Sequence, residues 1–340
     1  MIPMEFRTFS ELDSLIRQED LRKIDRRCRL DQIQVRVESA GGVNRFWLSV
    51  DGELPALMSD WAAGQLLQKM LTIPFEFLQK RCSSELALRN VDNFLSRAAP
   101  ASILVRMMSH AEGPRVRAVL PGARPKFEHG DILEITRQAS ESSDLRVASY
   151  RLDDTALTFR LLEFQSTEAG EMGSTDPHRL GLIARNSEIG HGPTEVHLTV
   201  VRERDGNGML GLTPEPLLRV NLSGLQPLDR KSLIERLQEG LLRGLSTERE
   251  RIFQVIRGAR QRRVPHQDLD EELRLIHVRE GLPARNIDLV KRALVDETGG
   301  TVPTEVTAYT LSNALGRAAM HFGGEEAAMY ERAAWKRMAC

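Results

Sequence analysis

Basic side chains crowd one stretch of the chain and could hold phosphate groups. The segment VRMMSHAEGPRVRAVLPGARPKF contains Arg106, Arg115, Arg117, Arg124 and Lys126 and a single glutamate. Guanidinium forks match phosphate oxygens in a bidentate geometry, so such a run suits contacts to a nucleic-acid backbone. Arg115 and Arg117 are two residues apart on a predicted strand and would share one face. The solvent-facing side of an amphipathic sheet would give the same pattern, so both interpretations stay open.

A second basic cluster occupies the C-terminal third. Seven arginines lie between residues 243 and 263 and face only two glutamates, which gives this segment a charge of +5. Arg249, Arg260 and Arg263 can share one face of a helix. We expect Arg257, Arg260 and Arg263 to extend a phosphate-binding groove. An acidic segment directly downstream could pair with these arginines instead, as in a solvated helical hairpin.

A polar cluster between two apolar runs could form a small polar site. Asn186, Glu188 and His191 would converge where a strand ends, and they would bring an acceptor, a base and a donor together. Asn and Ser side chains also bond to local backbone and favour turns, and Asn207-Gly208 is the dipeptide that type I′ turns prefer. The residues alone favour a turn of an antiparallel sheet. An enzyme would need a second carboxylate beside these three residues.

The motifs of the common catalytic and cofactor sites are absent from the sequence. None of the 8 histidines has HxxxH or HExxH spacing, and the 3 cysteines have no CxxC spacing. No GxSxG nucleophile motif and no GxxxxGK[ST] or GxGxxG phosphate loop occurs. We therefore expect no metal, no cofactor and no catalytic residue, and an enzyme is the less favoured class.

Composition sets the broad class of the protein. The 340 residues are 41% hydrophobic and 28% charged, as in folded globular proteins. A net charge of −1 excludes a polycation that would bind nucleic acid unaided. Forty of the 47 basic residues are arginine, which reflects either a GC-rich genome or a use for planar guanidinium groups. The apolar runs are too short to cross a membrane, the first residues do not resemble a signal peptide, and the cysteine usage suits the cytoplasm.

The periodicity of the apolar residues predicts an α+β fold. Residues 1–100 read as an N-terminal hairpin and a helical subdomain, in which DQIQVRVE and RFWLSVDG alternate like paired strands. Residues 101–226 read as an antiparallel-rich α+β core, and residues 227–340 read as a C-terminal helical bundle or cap. Many closely spaced strands favour an antiparallel or mixed sheet over a doubly wound parallel sheet.

Several segments, taken in order, resemble one known family. They are LMSDWAAGQLLQKMLTIPFEFLQK, RVRAVLPGARPKFEHGDILE, GLIARNSEIGHG, the NGM at 207–209 and TAYTLSNALGRAAM at 307–320. The family is the phage- and plasmid-borne domain of unknown function number nine-three-two. The chain departs from it because no Cys and Thr precede the NGM element, Pro121 starts a turn that usually contains Ser, and no Tyr follows Arg124. The resemblance implies a mobile-element context and a cytoplasmic protein, and it implies no particular reaction.

Two hypotheses from different classes follow. The leading one is a non-enzymatic nucleic-acid-binding protein of a phage or plasmid, with single-stranded DNA as the favoured partner and strand handling or annealing as the role. The alternative is a structural or interaction protein, such as an inhibitor of a host factor or a homo-oligomeric scaffold. The first depends on one physical condition, namely that distant arginines merge into a single cationic track without opposing carboxylates.

Overall fold

The structure has the α+β architecture that the sequence predicts, with a mixed sheet and helices at both ends. It is a computed structural model, and it describes residues 6–339 except 166, 169–176, 203–209, 214, 221–229, 265–268, 299 and 301–305. The NGM element and most of the Gly/Ser/Thr-rich loop lie outside the described residues.

The first sheet has six strands in the order β1-β5-β6-β4-β3-β2, antiparallel except for the β4–β6 pair. The predicted hairpin is β2–β3, and Gly41 and Gly42 turn it with φ of 62° and 78°. Strands from both sides of the expected boundary at residue 100 pair in this sheet, so that boundary does not separate two sheets. The strands are β1 (Lys23–Arg29), β2 (Ile33–Ala40), β3 (Val43–Val50), β4 (Ala56–Met58), β5 (Ser102–Met108) and β6 (Arg115–Pro121).

Short helices cover one face of the first sheet. Ser59 and Ser83 cap two of them, because their hydroxyls accept backbone N–H groups of the first turn. Phe46, Leu66 and Val91 lie in the apolar core between these helices and the sheet. These helices are α2 (Asp60–Gly64), a π-helix (Gln65–Met70) that continues α2, α3 (Phe75–Lys80) and α4 (Ser84–Leu95). The first helix of the chain, α1 (Phe9–Asp20), packs instead in the core of the second sheet.

The second sheet carries the main core of the protein. Its strands run in the order β12-β11-β10-β8-β7, with β13 on β11 and β9 on β10. The helices α5 (His129–Ser143) and α6 (Arg230–Gln261) pack against its apolar face. The strands are β7 (Leu145–Leu152), β8 (Leu157–Glu163), β9 (Thr167–Glu168), β10 (Pro177–Asn186), β11 (Thr194–Arg202), β12 (Leu210–Leu212) and β13 (Leu218–Val220).

The C-terminal region is helical, as the sequence predicts. Its helices α7 (Leu269–Glu280), α8 (Ile287–Glu297), α9 (Ala308–Ala319) and α10 (Gly324–Ala339) enclose an apolar cluster. The strands β14 (Arg263–Val264) and β15 (Val306–Thr307) pair beside them. Arg263 therefore does not extend the face of α6, because that helix ends at Gln261. Among the described residues, no helix combines the length and the apolar character that crossing a membrane requires.

Candidate functional site

Arg106 lies buried between the two sheets. Its side chain on β5 is 7% exposed, and its guanidinium pairs with Asp25 at 3.1 Å and with Glu128. It also donates to the backbone oxygen of Glu188 over 3.2 Å. Burial lowers the pKa of Arg106, but the two carboxylates raise it further, so the net shift is upward. Because all three nitrogens of its guanidinium already donate hydrogen bonds within the protein, Arg106 cannot contact a phosphate in this structure.

Arg117 is buried in the same way. One nitrogen of its guanidinium pairs with Glu19 at 3.0 Å, and two others donate to the backbone oxygen of Asp154 at 2.8 and 3.2 Å. Burial raises the pKa of Glu19 despite this contact. Arg117 thus fastens α1 and the β7–β8 turn to β6. The sequence predicts phosphate contacts for Arg106 and Arg117, but both lie outside the candidate interface because buried carboxylates already neutralise them.

Most of the other predicted phosphate ligands are exposed but have partners. Arg115 pairs with Glu112 at 2.9 Å, and Lys126 pairs with Asp25 at 2.8 Å. On α6, Arg257 pairs with Glu250 at 2.8 Å. Arg260 lies 4.8 Å from the ring centre of Tyr309, and Arg263 is held in the two-stranded sheet. The expected continuous track of cations without opposing carboxylates is therefore not formed by these residues.

Glu188 of the predicted polar site belongs to a buried network, and Asn186 lies beside it. We call this network the junction cluster: Lys23, Asp25, Arg106, Glu128 and Glu188. The Glu188 carboxylate lies 2.6 Å from the Lys23 ammonium. Burial and the neighbouring Glu188 raise the pKa of Glu128, although Arg106 lowers it. Hydrogen bonds from Arg106 and Lys126 outweigh burial and lower the pKa of Asp25. The cluster has two cations and three carboxylates, and Lys126, which pairs with Asp25 at 2.8 Å, balances the third carboxylate.

Asn186 and Glu188 converge on the start of α5. The Glu188 carboxylate accepts the backbone N–H of His129 over 2.7 Å, and the Asn186 amide lies 3.1 Å from Nδ1 of His129. Burial, together with Lys23, lowers the pKa of His129 to about 3, so its ring is neutral. Glu128 supplies the second carboxylate, but neither of the two cavities described below is lined by Asn186 or Glu188. These contacts hold the segment that follows β10 against the start of α5.

His191 lies apart from this network, on the turn that follows β10. Gly190 and Gly192 give this turn its shape, with φ of +72° and +114°. The Arg124 guanidinium lies directly on the turn, because a Cβ at Gly190 would come within 2.8 Å of its Nη1. Arg185 lies beside the other glycine, at 3.9 Å from the corresponding position of Gly192. Two guanidinium groups therefore flank one glycine turn.

Trp61 anchors the same turn from the first sheet. Its indole Nε1 donates to the backbone oxygen of Ile189 over 3.1 Å, and Gln65 donates to the same oxygen over 2.8 Å. The His191 ring meets the Trp61 ring edge to face, with centroids 4.5 Å apart. The Lys69 ammonium lies 4.5 Å above the Trp61 ring. We call the group Trp61, Lys69, Arg124, Arg185 and His191 the turn surface.

Among the described residues, the three cations of the turn surface have no carboxylate partner. Within the described part of the chain, no ion pair joins Lys69, Arg124 or Arg185 to an acidic side chain. Arg124 is half-buried, and both burial and the nearby Arg106 lower its pKa. A partly desolvated guanidinium beside another positive charge gains free energy when an anion binds. The turn surface can therefore hold phosphate or carboxylate oxygens.

Two cavities accompany these elements. One of about 160 Å³ adjoins the turn surface, and Trp61, His110, Arg115, Asp154 and Ile189 are among the side chains that line it. The other, of about 430 Å³, lies between the second sheet and α6, beside the ion pair of Glu163 and Arg249. Across the described residues, no group of three or more His, Cys, Asp or Glu side chains could hold a metal ion.

Comparison with known protein families, with curated proteins and with solved structures finds no match to this chain. The resemblance to the phage and plasmid family stays an expectation from sequence, and the site rests on geometry alone. Sequence reasoning found Arg124 and His191 but missed Lys69 and Arg185. In the sequence, Lys69 and Arg185 each lie between uncharged neighbours, so neither belongs to a basic cluster. The glycines on either side of His191 were the one sequence signal for the turn beside which both cations lie.

Proposed function

We propose that this protein binds single-stranded nucleic acid, without catalysis, through the turn surface. The observation that carries the proposal is the group of cations around the Ile189–Gly192 turn that lack carboxylate partners within the described residues, beside the partly exposed rings of Trp61 and His191. Cations next to aromatic rings form the combination that holds a strand by its phosphates and its bases together.

The charge distribution agrees with a local interface. The whole chain carries a net charge of −1, so long-range attraction to a polyanion is weak. Binding must then depend on a few short-range phosphate contacts, which makes it strongly dependent on salt. A single strand is favoured over a duplex because its bases are free to stack on side chains, at about 1–3 kcal/mol for each base.

We place this activity in the cytoplasm of a phage-infected or plasmid-bearing cell. The mobile-element context comes from the sequence resemblance. The cytoplasmic location is supported by the free thiols of Cys28 and Cys82, because extracellular compartments favour disulfides.

The test is a fluorescence-anisotropy titration of a labelled single-stranded oligonucleotide and of its duplex at low salt. We expect the single strand to bind more tightly. The variant Lys69→Ala/Arg124→Ala/Arg185→Ala should bind the single strand about tenfold or more weakly, because three phosphate contacts are lost.

The matched control removes three exposed cations from α7 and from the segment between α7 and α8, and neither contributes to the turn surface. Arg274→Ala/Arg279→Ala/Arg285→Ala changes the net charge by the same amount and should bind like the wild type. If the wild type binds neither strand form, the proposal fails and the interaction-protein hypothesis takes its place. If both triple variants weaken binding equally, the turn surface is not the interface.

A further inference from the structure

The cavity beside the turn surface has the size of a single ring. Its volume is about 160 Å³, and a cavity of about 150 Å³ is known to accommodate benzene. Pockets for whole cofactors or drug-sized ligands start at about 300 Å³. The cavity therefore suits one six-membered aromatic ring with small substituents and excludes a complete nucleotide.

The walls of this cavity are apolar on one side and polar on the other. Leu57, Val116 and Trp61 supply apolar contact, and His110, Arg115 and Asp154 bring hydrogen-bonding groups. This is the lining that a nucleobase requires, since a base has two apolar faces and a polar edge. Because Trp61 belongs to both the cavity and the turn surface, a strand held there by its phosphates would pass beside the opening.

Asp154 is the residue of this cavity that would determine which base binds. Arg117 holds its backbone oxygen with two hydrogen bonds, at 2.8 and 3.2 Å, and so fixes its backbone at the cavity wall, while the side chain is exposed and can turn to a ligand. Within the described residues its carboxylate has no hydrogen bond or ion pair. A carboxylate accepts hydrogen bonds and cannot donate them, so it favours a base edge that carries an amine.

Arg115 complements this preference from the same cavity. Its side chain is 49% exposed and holds only the exposed Glu112, three residues away, so its guanidinium can turn to a ligand. Cytosine presents an amine beside a ring nitrogen and a carbonyl oxygen, which suit Asp154 and Arg115 respectively. Thymine presents a carbonyl oxygen where cytosine has its amine, and this oxygen would face the Asp154 carboxylate.

We propose that this cavity accepts one unpaired pyrimidine base of the bound strand and prefers cytosine to thymine through Asp154. The inference rests on the proposed function, because the turn surface must first hold the phosphates. It adds a reason for single-strand selectivity, since the edge that Asp154 would contact is occupied in a base pair.

The experiment compares three labelled oligomers of equal length at mildly alkaline pH: oligo-dC, oligo-dT and an abasic strand with the same phosphates. The wild type should bind oligo-dC about tenfold more tightly than oligo-dT, and the abasic strand should bind most weakly. Asp154→Ala should lower the affinity for oligo-dC to that for oligo-dT. Glu76→Ala, which removes an 83% exposed carboxylate outside the cavity lining, should keep the difference.

A second variant blocks the cavity without touching the turn surface. Leu57→Trp should abolish the advantage of oligo-dC over the abasic strand and leave abasic binding unchanged. Thermal unfolding of each variant checks that it is folded. Equal wild-type affinity for oligo-dC and oligo-dT overturns the inference, as does a preference that survives in Asp154→Ala or Leu57→Trp.

The two proposals fail differently in this experiment. If the wild type binds all three oligomers equally and the turn-surface triple variant binds each of them about tenfold or more weakly, the base cavity is excluded while the phosphate interface stands. If the wild type binds no oligomer, the proposed function itself fails.

Discussion

The junction cluster and the turn surface both contain arginine side chains, but these side chains have different roles in the two regions. In the junction cluster, Arg106 is buried and contacts two carboxylates. On the turn surface, Arg124 is half-buried beside Arg106 and has no acidic partner among the described residues. The comparison shows that an arginine becomes structural when the fold brings carboxylates to it, and becomes available to a ligand when the fold does not.

The largest expected effect separates these two arginines by stability. Arg106→Ala removes the guanidinium that Asp25 and Glu128 share, and Glu128 then has only the more distant ammonium groups of Lys23 and Lys126 at 3.9 Å. The free energy of unfolding should fall by about 3 kcal/mol, because Glu128 is a mostly buried carboxylate. Arg124→Ala removes a cation that its surroundings disfavour and should change stability by less than about 1 kcal/mol. Urea denaturation measures both. Similar losses for the two variants would erase the distinction between the regions.

The pH dependence of stability tests the burial of His129, which lies against the junction cluster. The pKa of His129 is about 3 in the folded protein and about 6.5 when unfolded, so between these two values only the unfolded state takes up the proton. Stability attributable to this group is complete above the unfolded value and falls by about 1.4 kcal/mol for each pH unit as the pH decreases toward 3. His129→Gln should flatten the decline between about pH 6 and pH 5 by this amount. Parallel wild-type and variant curves would contradict the burial of a neutral imidazole.

A glycine substitution tests the geometry of the turn surface. Gly190→Ala forces an L-residue to a φ of +72° and places its Cβ against the Arg124 guanidinium. We expect a loss of about 1–2 kcal/mol in stability, together with weaker single-strand binding because Arg124 must move. Gly130→Ala is the control, since its Cβ would meet open space and its φ is ordinary. Unchanged binding by Gly190→Ala would show that the position of Arg124 is unimportant.

The smallest effect on the free energy of unfolding is expected for the exposed ion pair between Arg115 and Glu112. Arg115→Ala breaks only the ion pair with Glu112, whose side chains are 49% and 81% exposed. The free energy of unfolding should change by less than about 0.5 kcal/mol, because solvent screens such pairs. A loss comparable to that of Arg106→Ala would mean that Arg115 is part of the structural network.

The sequence predicted the fold better than it predicted the site. Alternating apolar residues identified the β2–β3 hairpin, and helical spacing identified the C-terminal helices, because both patterns are local. The ion pair between Arg106 and Asp25 joins residues 81 positions apart, and the Lys23–Glu188 pair spans 165 positions. No local pattern reveals which carboxylate will reach which arginine. Arg106 and Arg124 therefore look alike in the sequence and differ in the structure.

The salt dependence of single-strand binding tests the central claim most directly. For single strands, each phosphate contact contributes about 0.7 to the slope of log affinity against log salt concentration. The account predicts that the Lys69/Arg124/Arg185 triple variant has a slope smaller by about 2 than the wild type, because three contacts are lost. Equal slopes for the variant and the wild type would contradict the claim that the turn surface holds the phosphates.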